Sequence, residues 1–467
     1  MTQDSAPYPY PEGTSVERLR AGVYPLLEMQ RASLLKEISA GKALSRYPVG
    51  GIIEWYLENP TPSTLEVVVD VAQYGATKDQ LKRCIRDLLD IQPLLRSTIQ
   101  MDGAEPVFEE PAAIADFFVP EVSVDGDPAS VPWLISELSC AVAGWLRATV
   151  KPSNPQFCCL LILSKGAYSK VLFSFTHKIA DAEISRIMDG YFRLYLGKKM
   201  SPGKISRLMR AYREFALETF SSLRPAVLAR YKGSGEYAEF SSAVSAVKSA
   251  VEATDHSGWA RCARVIVDLD SQASKMDSRY PFGFVLLASA KIMSRIFGQR
   301  KIPMRVLWNN RQFSNLKYSN TIGDLHDKIP VLVDAETDDC LSVAKDFYAA
   351  AEHKLKEGFH YIYMLRRDME ARASVFPCPC SLNYLGEVTG PTFFWYTGDI
   401  TKIRLAASTP SQYNITALKH GRKLVLILLG GLPAEERLIG LLPVGSPAIE
   451  VERFGSWETC GVRKGGA

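Results

Sequence analysis

Val171-Leu-Phe-Ser-Phe175-Thr176-His177-Lys-Ile-Ala-Asp181-Ala182-Glu-Ile184-Ser-Arg-Ile187-Met188-Asp-Gly-Tyr191-Phe192-Arg-Leu-Tyr195 is the stretch on which the fold of this chain turns. In its first half Val171, Phe173, Phe175 and His177 share one face of a strand, because side chains alternate along it. In its second half the period changes. Ile184, Ile187, Met188, Tyr191, Phe192 and Tyr195 recur at the spacing of an amphipathic helix, and Gly197 is placed to end it. The strand runs out at His177 and a helix begins within a few residues. An imidazole at such a junction can reach a cleft while its backbone stays fixed. Neutral imidazole can take a proton from an attacking amine or hydroxyl near pH 7. Asp181 can orient the loop, pair with a cation, or help hold the histidine tautomer. The backbone N–H of Ala182, at the start of the helix, suits a developing oxyanion.

Working outward, the same alternation of strands and helices recurs. Residues 15–40 read as a helix and 65–71, rich in valine, as a strand. Residues 78–92 carry apolar side chains at helical spacing. A strand-like run over 93–99 leads to a turn at Met101-Asp-Gly103. Strands are expected at 157–163 and 171–175, with the turn between them at Lys165-Gly-Ala. Past the motif, residues 198–204 carry Gly, Pro and Lys and read as a domain boundary. Helices dominate to about residue 253. A strand at 263–269, a helix at 282–296 and strands at 304–307, 329–333, 400–406 and 424–429 follow. Alternation in both halves predicts α/β layers. The expected organisation is a mobile N-terminus (1–14), an N-terminal lobe (15–200) and a C-terminal lobe (201–467).

Bulk properties agree with a globular protein of more than one core. The chain has 467 residues, 47% hydrophobic and 23% charged. A net charge of +4 without a long basic run gives no footprint for nucleic acid. The first residues lack the basic start and apolar core of a signal peptide. The most apolar stretches fall well short of the ~20 residues that span a bilayer. Nine cysteines show no zinc spacing, and no metal is expected. They are read as reduced thiols in a cytoplasmic protein.

The 171–182 run resembles the His-His-x-x-x-Asp-Gly motif of nonribosomal peptide synthetase condensation domains. It is also similar to the shorter His-x-x-x-Asp of related CoA-dependent acyltransferases. Three other stretches agree in order and rough spacing. Gln92-Pro-Leu-Leu-Arg96-Ser-Thr with Asp102-Gly103 looks like the family's early Arg-His-x-x-Leu-Arg-Thr segment. Asn309-Asn-Arg311, then Thr321-Ile-Gly323-Asp-Leu-His-Asp-Lys-Ile-Pro330-Val-Leu-Val-Asp334, looks like the strand and Ile-Gly-x-Phe block of the second lobe. Ser381-Leu-Asn383-Tyr384-Leu-Gly386 matches the Asn-Tyr-Leu-Gly signature seen especially in epimerization domains. The resemblance spans about residues 20 to 450.

The resemblance implies an α/β fold of two chloramphenicol-acetyltransferase-like lobes, a pseudo-dimer with a central tunnel. Carrier-protein phosphopantetheine arms enter that tunnel from opposite sides. His177 takes the place of the tunnel histidine, and Asp181 that of the aspartate which forms a salt bridge with an arginine. Arg311 is the candidate partner. Thr176, Asn383 and Tyr384 are candidates for the tunnel wall, and Trp308 for either the wall or packing. The chain departs from the pattern at two positions: Thr176 stands where condensation domains have their first histidine, and Ala182 where they have glycine. The epimerase glutamate is missing from Leu307-Trp-Asn-Asn-Arg311-Gln.

The expected activity is condensation-type acyl transfer, forming an amide or ester from a thioester on an acyl or peptidyl carrier protein, or on CoA. A small-molecule amine or alcohol is the acceptor. No bound cofactor is expected, since the phosphopantetheine arm or CoA carries the substrate. The alternatives are a catalytically inactive docking domain that recruits carrier proteins or tailoring enzymes, and an epimerase.

Overall fold

The computed structural model describes residues 8–10, 16–40, 43–50, 53, 57, 64–103, 105–114, 116–124, 132–181, 183–220, 225–253, 260–269, 277–312, 317–356, 360–361, 368–374, 378–387, 413–432 and 449–456. By contacts the chain falls into two units. The first is 1–222 with 310–325, and the second 223–309 with 326–467.

The first unit contains β1 (Tyr8–Tyr10), α1 (Val16–Ala40), β2 (Ala43–Pro48), β3 (Thr64–Asp70), α2 (Lys78–Ile91), β4 (Thr98–Asp102), β5 (Glu105–Pro111), β6 (Glu121–Val124), α3 (Pro132–Thr149), β7 (Phe157–Ser164), β8 (Ala167–Thr176), α4 (Ile184–Leu196), α5 (Pro202–Leu208) and α6 (Tyr212–Phe220). Its main sheet has the order β1-β6-β7-β8-β3, and β2-β5-β4 form a smaller one. β8 lies between β7 and β3, so both of its edges are hydrogen-bonded, and helices on both faces of the sheet bury it, which explains its apolar run. On one face Cys158, Leu160, Ile162 and Leu172 join a core with Leu27 of α1 and Leu138 of α3. On the other face Phe173 meets Phe192 of α4 at 5.9 Å between ring centroids. Ile184, Ile187, Met188, Tyr191 and Phe192 are the buried stripe of α4. Burying each such side chain stabilises by roughly 1.5–3 kcal/mol.

Several local expectations change. Residues 8–10, in the stretch expected to be mobile, pair in parallel with β6 at the sheet edge. An edge position tolerates Pro9, which has no N–H to give. Pro93–Arg96 is a 3₁₀ turn, not a strand. Pro93 fixes φ at its start, and Ser97 Oγ donates back to the Pro93 carbonyl at 2.9 Å. α4 does end before Gly197, but Gly197 has φ −70° and Lys198 takes the left-handed turn at φ 53°. Glycine is needed there because a Cβ would lie 2.5 Å from the Arg193 carbonyl oxygen. Residues 198–204, expected as a boundary, fall inside the first unit. The helices that follow are fastened to it by Gln92, whose Nε2 donates to the carbonyls of Met209 (2.8 Å) and Arg210 (3.2 Å).

The second unit contains α7 (Pro225–Lys232), α8 (Gly235–Ala253), β9 (Ala260–Asp268), α9 (Tyr280–Phe297), β10 (Lys301–Asn309), β11 (His326–Asp334), α10 (Cys340–Lys356), α11 (Met369–Ser374), β12 (Cys380–Glu387), β13 (Tyr413–His420), β14 (Lys423–Leu432) and β15 (Ile449–Ser456). Among the described residues its strands form a sheet of order β11-β10-β12-β13-β14-β9-β15, and α8 and α9 pack on it. The strand expected at 400–406 lies outside the described residues. Among the described residues no helix is long and apolar enough to cross a membrane. Cys158, Cys159, Cys378 and Cys380 are free thiols, buried.

Candidate active site

β8 ends at Thr176, one residue before His177. That end is fixed from both sides. Thr176 N donates to the Gln156 carbonyl at 2.9 Å, and Thr176 Oγ1 lies 3.2 Å from Gln156 Oε1. Gln156 is fully buried, and its Nε2 donates to the carbonyls of Lys151 and Asn154, both at 2.7 Å. Thr176 is therefore a buried residue with its hydroxyl engaged at the strand end. Ile179 N then closes a turn on the Thr176 carbonyl at 3.1 Å.

The other end of the loop is held by Asp181, which is 1% exposed. Its Oδ1 accepts from Glu183 N at 3.1 Å, in the first turn leading into α4. Its Oδ2 accepts from Leu325 N at 3.3 Å and from Arg311 Nη1. Arg311, also buried, donates from Nη2 to the carbonyls of Thr321 (2.8 Å) and Gly323 (2.9 Å). The expected Asp181–Arg311 ion pair is thus present, buried and hydrogen-bonded at both partners. That is the condition under which a buried pair is tolerated.

Between these anchors Ile179 and Ala180 are fully buried, whereas His177 and Lys178 are half-buried. Burial lowers the Lys178 ammonium below the ordinary lysine pKa. Ala182 lies outside the described residues.

Two residues quoted above without a role prove to position Arg311. Gln92 Oε1 accepts from Ile322 N at 3.0 Å. Gly323 lies so close to Tyr212 that a Cβ there would come within 2.3 Å of its ring. A large side chain at 323 would push away the carbonyl that Arg311 uses. Gln156 carried no sequence signal: it lies outside every quoted motif, and its partners besides Thr176 are backbone carbonyls.

Trp308, Asn383 and Tyr384 belong to the second unit. Trp308 is buried on β10 between Phe347 (5.3 Å) and Tyr348 (5.2 Å). Asn383 lies within β12, opposite Leu307 on one side and Thr416 on the other. Tyr384 follows it, half-buried, with its ring 5.7 Å from Phe282.

No protein-family model and no curated protein matches the chain. Solved structures do. The epimerization domain from the third module of tyrocidine synthetase B is 15% identical, with a TM-score of 0.52 over 85% of this chain and 94% of that one. A structure described as the molecular basis for condensation domain-mediated chain release from the enacyloxin polyketide synthase is 14% identical, with a TM-score of 0.53 over 88% and 86%. The tallysomycin biosynthesis protein TlmII is 15% identical, with a TM-score of 0.54 over 85% and 95%. The chain thus shares the α/β fold of these condensation and epimerization domain structures.

Proposed function

We propose that this protein is a condensation-type acyltransferase of natural-product biosynthesis, acting in the cytoplasm on a thioester carried by an acyl or peptidyl carrier protein, or by CoA. One observation carries the reading. In a chain with this fold, His177 is half-buried in a loop whose two ends are fixed by buried residues, Thr176 on Gln156 and Asp181 on Arg311.

The acceptor is a small-molecule amine or alcohol. Its nucleophilic atom attacks the thioester carbonyl, and His177 takes or orients its proton. The tetrahedral oxyanion collapses, the C–S bond breaks, and the thiolate leaves with a proton as the amide or ester forms. The Ala182 N–H is the oxyanion donor in this scheme, and Asp181–Arg311 hold the loop.

The test supplies acyl-carrier thioesters and candidate acceptors to the wild type and to His177→Ala. Product from the wild type, with a loss of about 10²-fold or more in the variant, is expected for a lost general base. Equal yields would sink the role of His177.

A second reading, a docking domain without turnover, is favoured by Thr176. Its hydroxyl is engaged by Gln156 where condensation domains carry their first histidine. Carrier-protein binding without product from any donor–acceptor pair would select it.

A further inference from the structure

The outward face of α2, which the acyl-transfer scheme does not use, carries Asp79, Lys82, Arg83 and Arg86 at i, i+3, i+4 and i+7. These side chains and Asp116, Phe117 and Val119 line a cavity of about 200 Å³ within the first unit. Its apolar wall is fixed. Phe117 and Val119 are buried, and Phe118 N donates to Ser33 Oγ at 3.0 Å. Both carboxylates have local roles: Asp116 Oδ1 accepts from Phe117 N at 2.9 Å. Asp79 sits in the first turn of α2, where helix amides favour negative charge.

The cations have no such roles. Among the described residues Lys82 and Arg83 make no ion pair. Arg86 has Asp87, the next residue on the helix, at 3.8 Å, with both side chains partly exposed. A pair that long and that wet neutralises little. Lys82 and Arg86, at i and i+4, also repel one another. The carboxylates of Asp79 and Asp116 in the same lining, with Asp87 and Asp90 near Arg86, offset the three cations only in part.

We propose that the cavity binds a small phosphate-bearing anion. Arg83 and Arg86 would grip its oxygens, Lys82 would add charge, and Phe117 and Val119 would back it. Guanidinium forks match phosphoryl oxygens in pairs, and lysine serves as a point charge. The volume is below the roughly 300–1,000 Å³ of sites that enclose drug-sized ligands. It therefore suits a phosphate or diphosphate group and not a whole nucleotide. This inference does not rest on the acyl-transfer reading.

Calorimetric titration with inorganic pyrophosphate, at low and at physiological ionic strength, tests it. Saturable binding to the wild type is expected, weaker at the higher ionic strength. The triple variant Lys82→Gln/Arg83→Gln/Arg86→Gln should bind at least about tenfold more weakly with an unchanged melting temperature. Asp79→Asn should bind more tightly, because it removes a like charge from the ligand's surroundings. A wild type without a saturable isotherm, or a triple variant of unchanged affinity, overturns the proposal. So does a wild type that retains an acidic carrier protein on this face but ignores pyrophosphate.

Discussion

Replacing Arg311 by methionine keeps most of the side-chain volume and removes the charge. The Asp181 carboxylate, 1% exposed, would then rely on the backbone N–H groups of Glu183 and Leu325. The carbonyls of Thr321 and Gly323 would lose their guanidinium donor. Breaking a buried pair from one side costs about 3–5 kcal/mol, because it strands a charge in a dry site. In a unit of roughly 150–250 residues each kcal/mol is worth about 2–4 °C, so a fall of about 6–20 °C in the melting temperature is expected. Asp181→Asn keeps an acceptor for Glu183 N and removes the stranded charge. The double variant Asp181→Asn/Arg311→Met should therefore be more stable than the sum of the single losses predicts, by about 0.5–3 kcal/mol. Thermal unfolding of the wild type, both single variants and the double variant measures this directly. A shift under about 2 °C for Arg311→Met, or strict additivity in the cycle, would refute the idea that this pair holds the loop.

Gly323→Ala should destabilise by about 1–3 kcal/mol, the usual range for overpacking, because its Cβ meets the Tyr212 ring at 2.3 Å. Adding Tyr212→Leu should recover part of that loss in a denaturant titration. No recovery would show that the close approach is not the cause. Glu66 offers a pH test. Burial, opposed by hydrogen bonds to Thr64 and Ser174 and by the charge of Arg147, raises its carboxyl above the ordinary glutamate value. A folded-state pKa above the unfolded one means that protonation favours the native state. The stabilisation is complete below the ordinary glutamate pKa and is lost as pH rises through the folded value. Glu66→Gln, which imitates the protonated form, should gain in melting temperature relative to the wild type as pH goes from about 4 to 7. A difference that stays flat across that window would contradict the assignment.

Local patterns made the strand, the junction and the helix around His177 legible because each has its own period. The alternation of Val171, Phe173 and Phe175, and the 3.6-residue stripe from Ile184 to Phe192, reflect burial on a sheet face and on a helix face. The boundary near residue 200 was not a matter of local pattern. Gly, Pro and Lys mark the exposed turn between α4 and α5. Gln92, more than 100 residues earlier, helps tie the following helices to the first unit, together with the Arg213–Glu110 ion pair and the Tyr212 ring against Phe108. Pro93 misled in a similar way: Leu94, Leu95 and Ile99 look like a strand, but the fixed φ of proline starts a 3₁₀ turn. The Asp181–Arg311 pair was reachable only through the family resemblance, because 130 positions separate its members.

The position of His177 is set by residues remote in sequence. Tyr212 lies so close to Gly323 that any Cβ there would displace it; the Gly323 carbonyl orients Arg311; Arg311 holds Asp181; and Asp181 receives the amide of Glu183 that leads into α4. At the other end Gln156, anchored on the carbonyls of Lys151 and Asn154, holds Thr176. Four residues span the gap, and two of them, Ile179 and Ala180, are buried. Such a loop has little freedom left, so an imidazole on it would be preorganised before any substrate arrives, which is what general-base chemistry requires of its scaffold. Under the proposed function the Gly323→Ala variant should then lose turnover in proportion to the displacement of the Arg311 acceptor, although residue 323 has no part in the reaction. Such a loss, measured under conditions where the variant remains folded and set beside full activity in an equally destabilised variant of the second unit, would separate positioning from stability.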